Sequence, residues 1–215
     1  MLLYAITDRQ QLPGGDKIAA VSKFVAAASL AGIDYIQLRE KDLAPRQLEL
    51  LACACMERVR QAREQGSKTR LLVNSRCDIA MACGADGVHL RSRRSGEMPA
   101  GDARAILAMA GMAHAVIGAS CHSLEDVLLA ESEGADFAVF GPVFGKAGMA
   151  GMGLEELRRV CARERPGMQV LALGGVSAAN ARDCARAGAA GVAGIRLFQQ
   201  SELRGVVRSL REGIP

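Results

Sequence analysis

Short apolar runs alternate with longer segments of helical period from one end of the chain to the other. The runs lie at Leu2–Thr7, Asp34–Arg39, Arg70–Asn74, Gly87–Leu90, Ala115–Ser120, Asp136–Phe140, Gln169–Leu173 and Gly191–Ile195. Runs of this kind suit parallel strands buried on both faces. Between them stand stretches of mostly about 10–18 residues, rich in Ala, Leu, Glu and Arg, that read as helices. Such alternation builds βα units. Eight strands and eight helices predict one α/β domain over residues 1–215, a (β/α)8 TIM barrel. An open doubly wound sheet shows the same alternation, but eight units of even size favour closure.

An internal echo supports the count. Gly32-Ile-Asp34, Gly84-Ala-Asp86, Gly134-Ala-Asp136 and Gly188-Ala-Ala190 each open onto an even-numbered strand. Each reads as a helix end with glycine in the left-handed position just past the last turn. They recur at roughly 50 residues, the length of two βα units.

Composition changes this picture little but narrows the function. With no Trp, two Tyr and five Phe, the chain predicts an aliphatic core and lacks the stacking surface of single-strand binders, so no nucleic-acid partner is expected. The net charge of +4 is compatible with anionic metabolites and weak as a nucleic-acid signal. Seven cysteines, an odd number without paired CxxC spacing, read as reduced thiols and neither disulfides nor zinc ligands. The first residues lack the pattern of a signal peptide, and no apolar run approaches a bilayer span. A cytoplasmic protein without membrane partners is expected.

Candidate chemistry gathers at strand C-terminal ends, where barrels of this class build their sites. Leu173-Gly174-Gly175-Val176 after the seventh strand and Gly191-Val-Ala-Gly194-Ile195-Arg196 at the eighth form the strongest signal. Glycines there let backbone N–H groups approach an anion, and a following helix adds its positive end, so Gly174, Gly175, Gly194 and Ile195 read as phosphate-binding. Arg196 either adds a charge-assisted contact or points to solvent. At the second strand, alternation puts Gln37, Arg39 and Lys41 on one face, three donors for an anionic or heteroaromatic substrate. Two loops stand out on the same side: Arg91–Gly101, with Arg91, Arg93 and Arg94, and the glycine-rich Gly141–Gly153, which reads as a flap. His89 is expected to pack inside the barrel, His114 to lie on the opposite surface, and Cys121 to act as a small apolar filler.

Tyr4-Ala-Ile-Thr-Asp8, Gln37-Leu-Arg-Glu-Lys41, Ala85-Asp-Gly-Val-His-Leu90, Gly118-Ala-Ser-Cys-His122, Gly141-Pro-Val-Phe144 and Leu173-Gly-Gly-Val176 come in the order of one family. Over nearly its full length the chain resembles the thiamine phosphate synthase and TenI superfamily. The resemblance implies a TIM barrel, phosphate held after strands seven and eight, substrate contacts from Gln37, Arg39, Lys41 and Asn74, and a homodimer.

The chain also departs from the synthase pattern. Synthases resembling it carry Asn-Asp after strand three and Gly-Gln-x-Asp after strand four, whose carboxylates hold magnesium. Here those stretches read Asn74-Ser75 and Arg91-Ser-Arg-Arg94, and a cation in such a place repels a metal. The flap reads Gly145-Lys-Ala-Gly-Met-Ala-Gly151, without the hydroxyls of the synthase pattern. Ser120-Cys-His122-Ser is similar to the segment that carries the catalytic histidine of TenI, so His122 is the expected proton shuttle of a thiazole tautomerase. Arg93 or Arg94 either grips a substrate carboxylate or belongs to a solvated turn. The reading favoured by the sequence is a metal-independent tautomerase acting on a thiazole phosphate, without a cofactor. The alternatives are a thiamine phosphate synthase with an altered diphosphate site, which alone would need Mg2+, and a non-catalytic phosphate-ester binder.

Overall fold

A computed structural model describes residues 1–145, 150–162, 167–199 and 202–212. Eight strands, β1 (Leu2–Ile6), β2 (Tyr35–Leu38), β3 (Arg70–Asn74), β4 (Gly87–Leu90), β5 (Val116–Cys121), β6 (Phe137–Phe140), β7 (Gln169–Leu173) and β8 (Gly191–Gly194), pair in sequence order. All neighbours are parallel, and β8 closes on β1 through Leu2–Gly191 to Ala5–Gly194. The helices are α1 (Lys17–Ala31), α2 (Pro45–Glu64), α3 (Cys77–Cys83), α4 (Ala100–Met109), α5 (Leu124–Ser132), α6 (Gly153–Cys161), α7 (Ala181–Arg186) and α8 (Leu203–Glu212). The predicted barrel is therefore the observed fold, and the strand limits agree to within a residue or two. Helices α3 and α7 are shorter than predicted, at seven and six residues. Among the described residues no helix is long and apolar enough to cross a membrane.

The echo seen in the sequence has a structural meaning. Gly32, Gly84, Gly134 and Gly188 all adopt left-handed backbone, with φ of 88°, 64°, 83° and 97°. The aspartate two residues on then folds back onto the preceding odd strand. Asp34, Asp86 and Asp136 accept the backbone N–H groups of Leu3, Leu71 and Ile117, each at 2.7 Å. Each carboxylate also takes a helix arginine: Arg211 for Asp34, Arg63 for Asp86 and Arg104 for Asp136. The fourth copy has Ala190 and keeps only the backbone part, donating to Val170 O at 2.9 Å. These corners fasten the N-terminal rim.

The core has two parts. An aliphatic layer lies between strands and helices, as expected from composition. The barrel interior differs: Tyr4, Tyr35, His89 and Phe137 put their rings together there, with the Tyr4 and Phe137 centroids 5.3 Å apart and edge-on. Three of the seven Phe and Tyr rings thus lie inside the barrel beside His89, while Phe24, Phe140 and Phe198 are buried in the outer, mainly aliphatic layer. Gly118 makes room for them, because a Cβ there would lie 2.6 Å from the Phe137 ring. Backbone proximity is tighter at Gly87, where φ is 154° and a Cβ would stand 1.9 Å from Val116 O.

The rim analysis gives a stability prediction. Asp86→Ala leaves the buried Leu71 N–H and Arg63 without their carboxylate, and should cost about 2–3 kcal/mol in urea unfolding at neutral pH. A loss under about 0.5 kcal/mol would show that the aspartate corners do not fasten the rim.

Candidate active site

The C-terminal ends of the strands gather most of the residues expected to carry chemistry. At the β1–β2 edge, buried Glu40 accepts Thr7 Oγ1 at 2.7 Å and the Arg9 backbone N–H and guanidinium. Thr7 Oγ1 in turn accepts the Arg39 N–H at 2.9 Å, so the chain leaving β2 is pinned before Arg39 and Lys41 emerge. Strand β2 ends at Leu38, and the three predicted donors do not share one environment. Gln37 is buried and reaches Asn74 Oδ1 on β3 at 3.4 Å, whereas Arg39 is half-buried and Lys41 exposed. Neither Arg39 nor Lys41 has an ion-pair partner among the described residues. The Lys41 ammonium lies below its ordinary pKa, chiefly because Arg39 is close, with burial and Arg91 adding to the shift. Three cations thus crowd one side of the mouth.

The loop after β4 decides between the two readings of its arginines. Arg93 and Arg94 turn away from the mouth, Arg93 to Glu133 and the Glu97 carbonyl, Arg94 to Asp126 and Ser123 at the start of α5. Arg91 is the arginine of this loop that stays with Arg39 and Lys41. The loop also holds a carboxylate that the motif comparison overlooked. Glu97, only 7% exposed, accepts the Arg91 backbone N–H and Nε, both at 3.3 Å, and the Met98 N–H. Burial raises its pKa, but the Ser75 hydroxyl and the Arg91 and Met98 donors outweigh this and hold it below the usual range. It was findable in principle as the only acidic residue between Leu90 and Asp102. Ser75 itself, at the β3 end, has φ of 56°, the one described non-glycine residue in the left-handed region.

On the opposite side, Ser123 caps α5, and Asp126 accepts the His122 backbone N–H at 2.8 Å. The His122 ring is not used for capping. Its Nδ1 lies 2.6 Å from Gly141 O, and a carbonyl can only accept, so Nδ1 carries a proton, and in the neutral ring Nε2 is the nitrogen with the lone pair. Gly141 leads through a cis bond to Pro142, and this segment rests on the turn after β7. Val143 N donates to Leu173 O at 2.8 Å and Phe144 N to Gly174 O at 2.9 Å. A Cβ on Gly141 would meet Leu173 O at 2.2 Å, one on Gly174 would meet Pro142 at 2.6 Å, and one on Gly175 would meet Phe144 at 2.7 Å. His122 is therefore one backbone segment away from the Gly174-Gly175 turn. That turn is left-handed at both glycines, with φ of 95° and 66°. The expected help from a helix N-terminus is not there, because α7 is short and begins only at Ala181. At the end of β8 Gly194 is buried, and beyond it Ile195 is half-buried and Arg196 exposed. Lys146 and the centre of the predicted flap lie outside the described residues. Cys121 and His89 are buried and His114 is exposed, as expected.

A family model described as thiamine monophosphate synthase matches residues 3–198. The chain belongs to this family. A Geobacter sulfurreducens protein named "Putative thiamine-phosphate synthase" is 40% identical over 195 residues, 89% of this chain and 83% of that protein. The thiamine-phosphate synthase of Methanoculleus marisnigri is 35% identical over 217 residues, 99% of this chain and 94% of its own. The thiamine phosphate pyrophosphorylase structure from Pyrococcus furiosus superposes with a TM-score of 0.79 at 31% identity, covering 98% of this chain and 94% of that one.

Membership in the thiamine monophosphate synthase family raises the question of magnesium, which takes hard oxygen donors in near-octahedral array. The donor set here does not fit it. Ser75 and Ser92 offer only neutral hydroxyls, the carboxylate of the loop, Glu97, is occupied by Arg91, and the loop's other charged groups are arginines. Among the described residues no three His, Cys, Asp or Glu side chains form a metal-binding group.

Because the pKa of Glu97 is depressed in the folded state, its contribution is present at neutral pH and lost as pH falls through that lowered value, beneath the ordinary glutamate range. Glu97→Gln should thus unfold roughly 1–2 kcal/mol more easily than wild type at pH 7. The two proteins should converge in thermal melts toward pH 3. A gap that persists or widens in acid would contradict an ionised, hydrogen-bonded Glu97.

Proposed function

We propose that this chain is a transferase of thiamin biosynthesis that joins a thiazole phosphate to a pyrimidine diphosphate, giving thiamine phosphate and pyrophosphate. Family membership over nearly the whole chain and the names of its relatives support this reading over the tautomerase that the sequence favoured. The observation that carries it is the cationic crowding of Arg39, Lys41 and Arg91, which lowers the Lys41 pKa and calls for a polyanion. In the reaction the thiazole nitrogen forms a bond to the pyrimidine methylene carbon as the carbon–oxygen bond to the diphosphate breaks. Negative charge gathers on the departing pyrophosphate, where preorganised cations are most effective. In this reading Arg91, held by Glu97, supplies part of that stabilisation, and Gln37 and Asn74 orient the substrate. The Gly174 carbonyl is taken by Phe144 and the Gly175 carbonyl by Asn180, so the turn offers N–H groups to the thiazole phosphate.

One observation favours the tautomerase as a second reading. The Gly141 carbonyl fixes the His122 tautomer with Nε2 as acceptor, the arrangement a proton shuttle needs.

Incubation with both substrates, with and without chelator, should give thiamine phosphate at a rate that chelator leaves unchanged. Arg91→Ala should lower kcat/KM about 100-fold while preserving the fold. If no thiamine phosphate forms but the thiazole tautomer phosphate is aromatised, and His122→Ala abolishes this, the second reading replaces the first. If neither product forms, the chain is a binding protein.

A further inference from the structure

Under the mouth lies a hydrogen-bonded chain that the proposed reaction does not use. Tyr4 Oη on β1 lies 3.0 Å from Nδ1 of His89 on β4, and His89 Nε2 lies 2.9 Å from Oγ of Ser120 on β5. Tyr4 is fully buried, His89 is 2% exposed, and Ser120, toward the open end, is half-buried. The imidazole has a shaped seat: a Cβ on Gly118 would lie 2.8 Å from Nδ1.

A neutral imidazole has one N–H, and its two tautomers give opposite results at Ser120. If Nδ1 holds the proton, it donates to Tyr4 Oη. The phenol hydrogen is then stranded, because His89 is its only hydrogen-bond partner among the described residues. A buried donor without an acceptor is costly. If Nε2 holds the proton, the Tyr4 hydroxyl donates to Nδ1, Nε2–H donates to Ser120 Oγ, and every group is satisfied. In that arrangement the Ser120 hydrogen is not spent on the ring.

We infer that Tyr4 and His89 are positioning residues that fix Ser120 as a hydrogen-bond donor toward an anionic oxygen of the ligand in the mouth. This rests on the reading that the mouth takes a phosphorylated substrate. Titration does not disturb the arrangement. Burial, with Arg39 adding to it, holds the His89 pKa down to about 3, and burial pushes the Tyr4 phenol well up. The groups facing His89 are Tyr4 from β1, Ser120 from β5, the Phe137 ring from β6 and the charge of Arg39 beyond β2. None of these is a carboxylate that would favour the imidazolium. The Ser–His–Tyr chain is thus not a nucleophile relay, since so weak a base does not deprotonate a hydroxyl.

The test uses histidine-selective 15N labelling of the full chain, with its three histidines assigned by substitution. His89 should be the Nε2–H tautomer and should not titrate between pH 5 and 9, whereas Tyr4→Phe, which removes the phenol hydrogen that pins Nδ1 as an acceptor, should leave the two tautomers mixed. An Nδ1–H tautomer in wild type, or a mid-range titration, overturns the inference. Calorimetric titration with inorganic pyrophosphate and with inorganic phosphate adds the ligand side. Tyr4→Phe and Ser120→Ala should each weaken the tighter of the two about tenfold, and Tyr4→Phe should cost nothing further once Ser120→Ala is present. Additive losses would mean that Tyr4 acts only through packing and would overturn the positioning role. If wild type binds neither anion, the functional reading fails, while the tautomer measurement still decides the state of Ser120.

Discussion

The N-terminal rim is where this barrel is fastened, and the site depends on that fastening. Three aspartates each bind a backbone N–H of the preceding strand and an arginine from a helix, joining strands in pairs at the end away from the chemistry. With one end so constrained, the strand register is fixed. The C-terminal ends can then carry polar groups, positive φ angles and close backbone contacts without loss of the fold. The left-handed Ser75 and the two left-handed glycines after β7 all lie at that end.

Charge is distributed at the mouth by a second rule. Its buried carboxylates, Glu40 and Glu97, are used to hold arginines and backbone N–H groups in place. They are not grouped as a metal cradle. What remains toward the opening is positive: Arg39, Lys41 and the half-exposed Arg91. On the proposed reading such a balance would attract a polyanion directly, and ligand binding would relieve the cost of holding three cations together. The arginines one turn further on, Arg93 and Arg94, brace the loop against the two ends of α5, at Glu133 and Asp126.

The two histidines at this end illustrate how environment separates one side-chain type into two functions. His89, sealed among rings, is held neutral and has both nitrogens committed. His122, at the surface, commits one nitrogen to Gly141 and keeps the other for a ligand. Both lie within a few residues of Ser120 in space or sequence, so the β5 end joins the fixed interior to the reactive mouth.

The sequence by itself determined the order and number of strands, because period and turn chemistry are local, and the recurring glycine marked every even-numbered strand. It marked the Gly174-Gly175 turn and the Gln37 to Lys41 segment as candidates for the same reason: glycine patterns and strand ends are local features. It did not tell Arg91 from Arg93 and Arg94, since the three have one composition, but Arg93 and Arg94 take partners 40 and 32 residues away whereas Arg91 pairs with Glu97 in its own loop. Nor did it find Glu97, whose meaning comes from Ser75 and Arg91, or the Tyr4–His89–Ser120 chain, whose members lie 85 and 31 residues apart. Hydrogen bonds between distant residues exist only once the barrel has closed, so tertiary structure alone decided which polar groups are spent on the fold and which face the ligand.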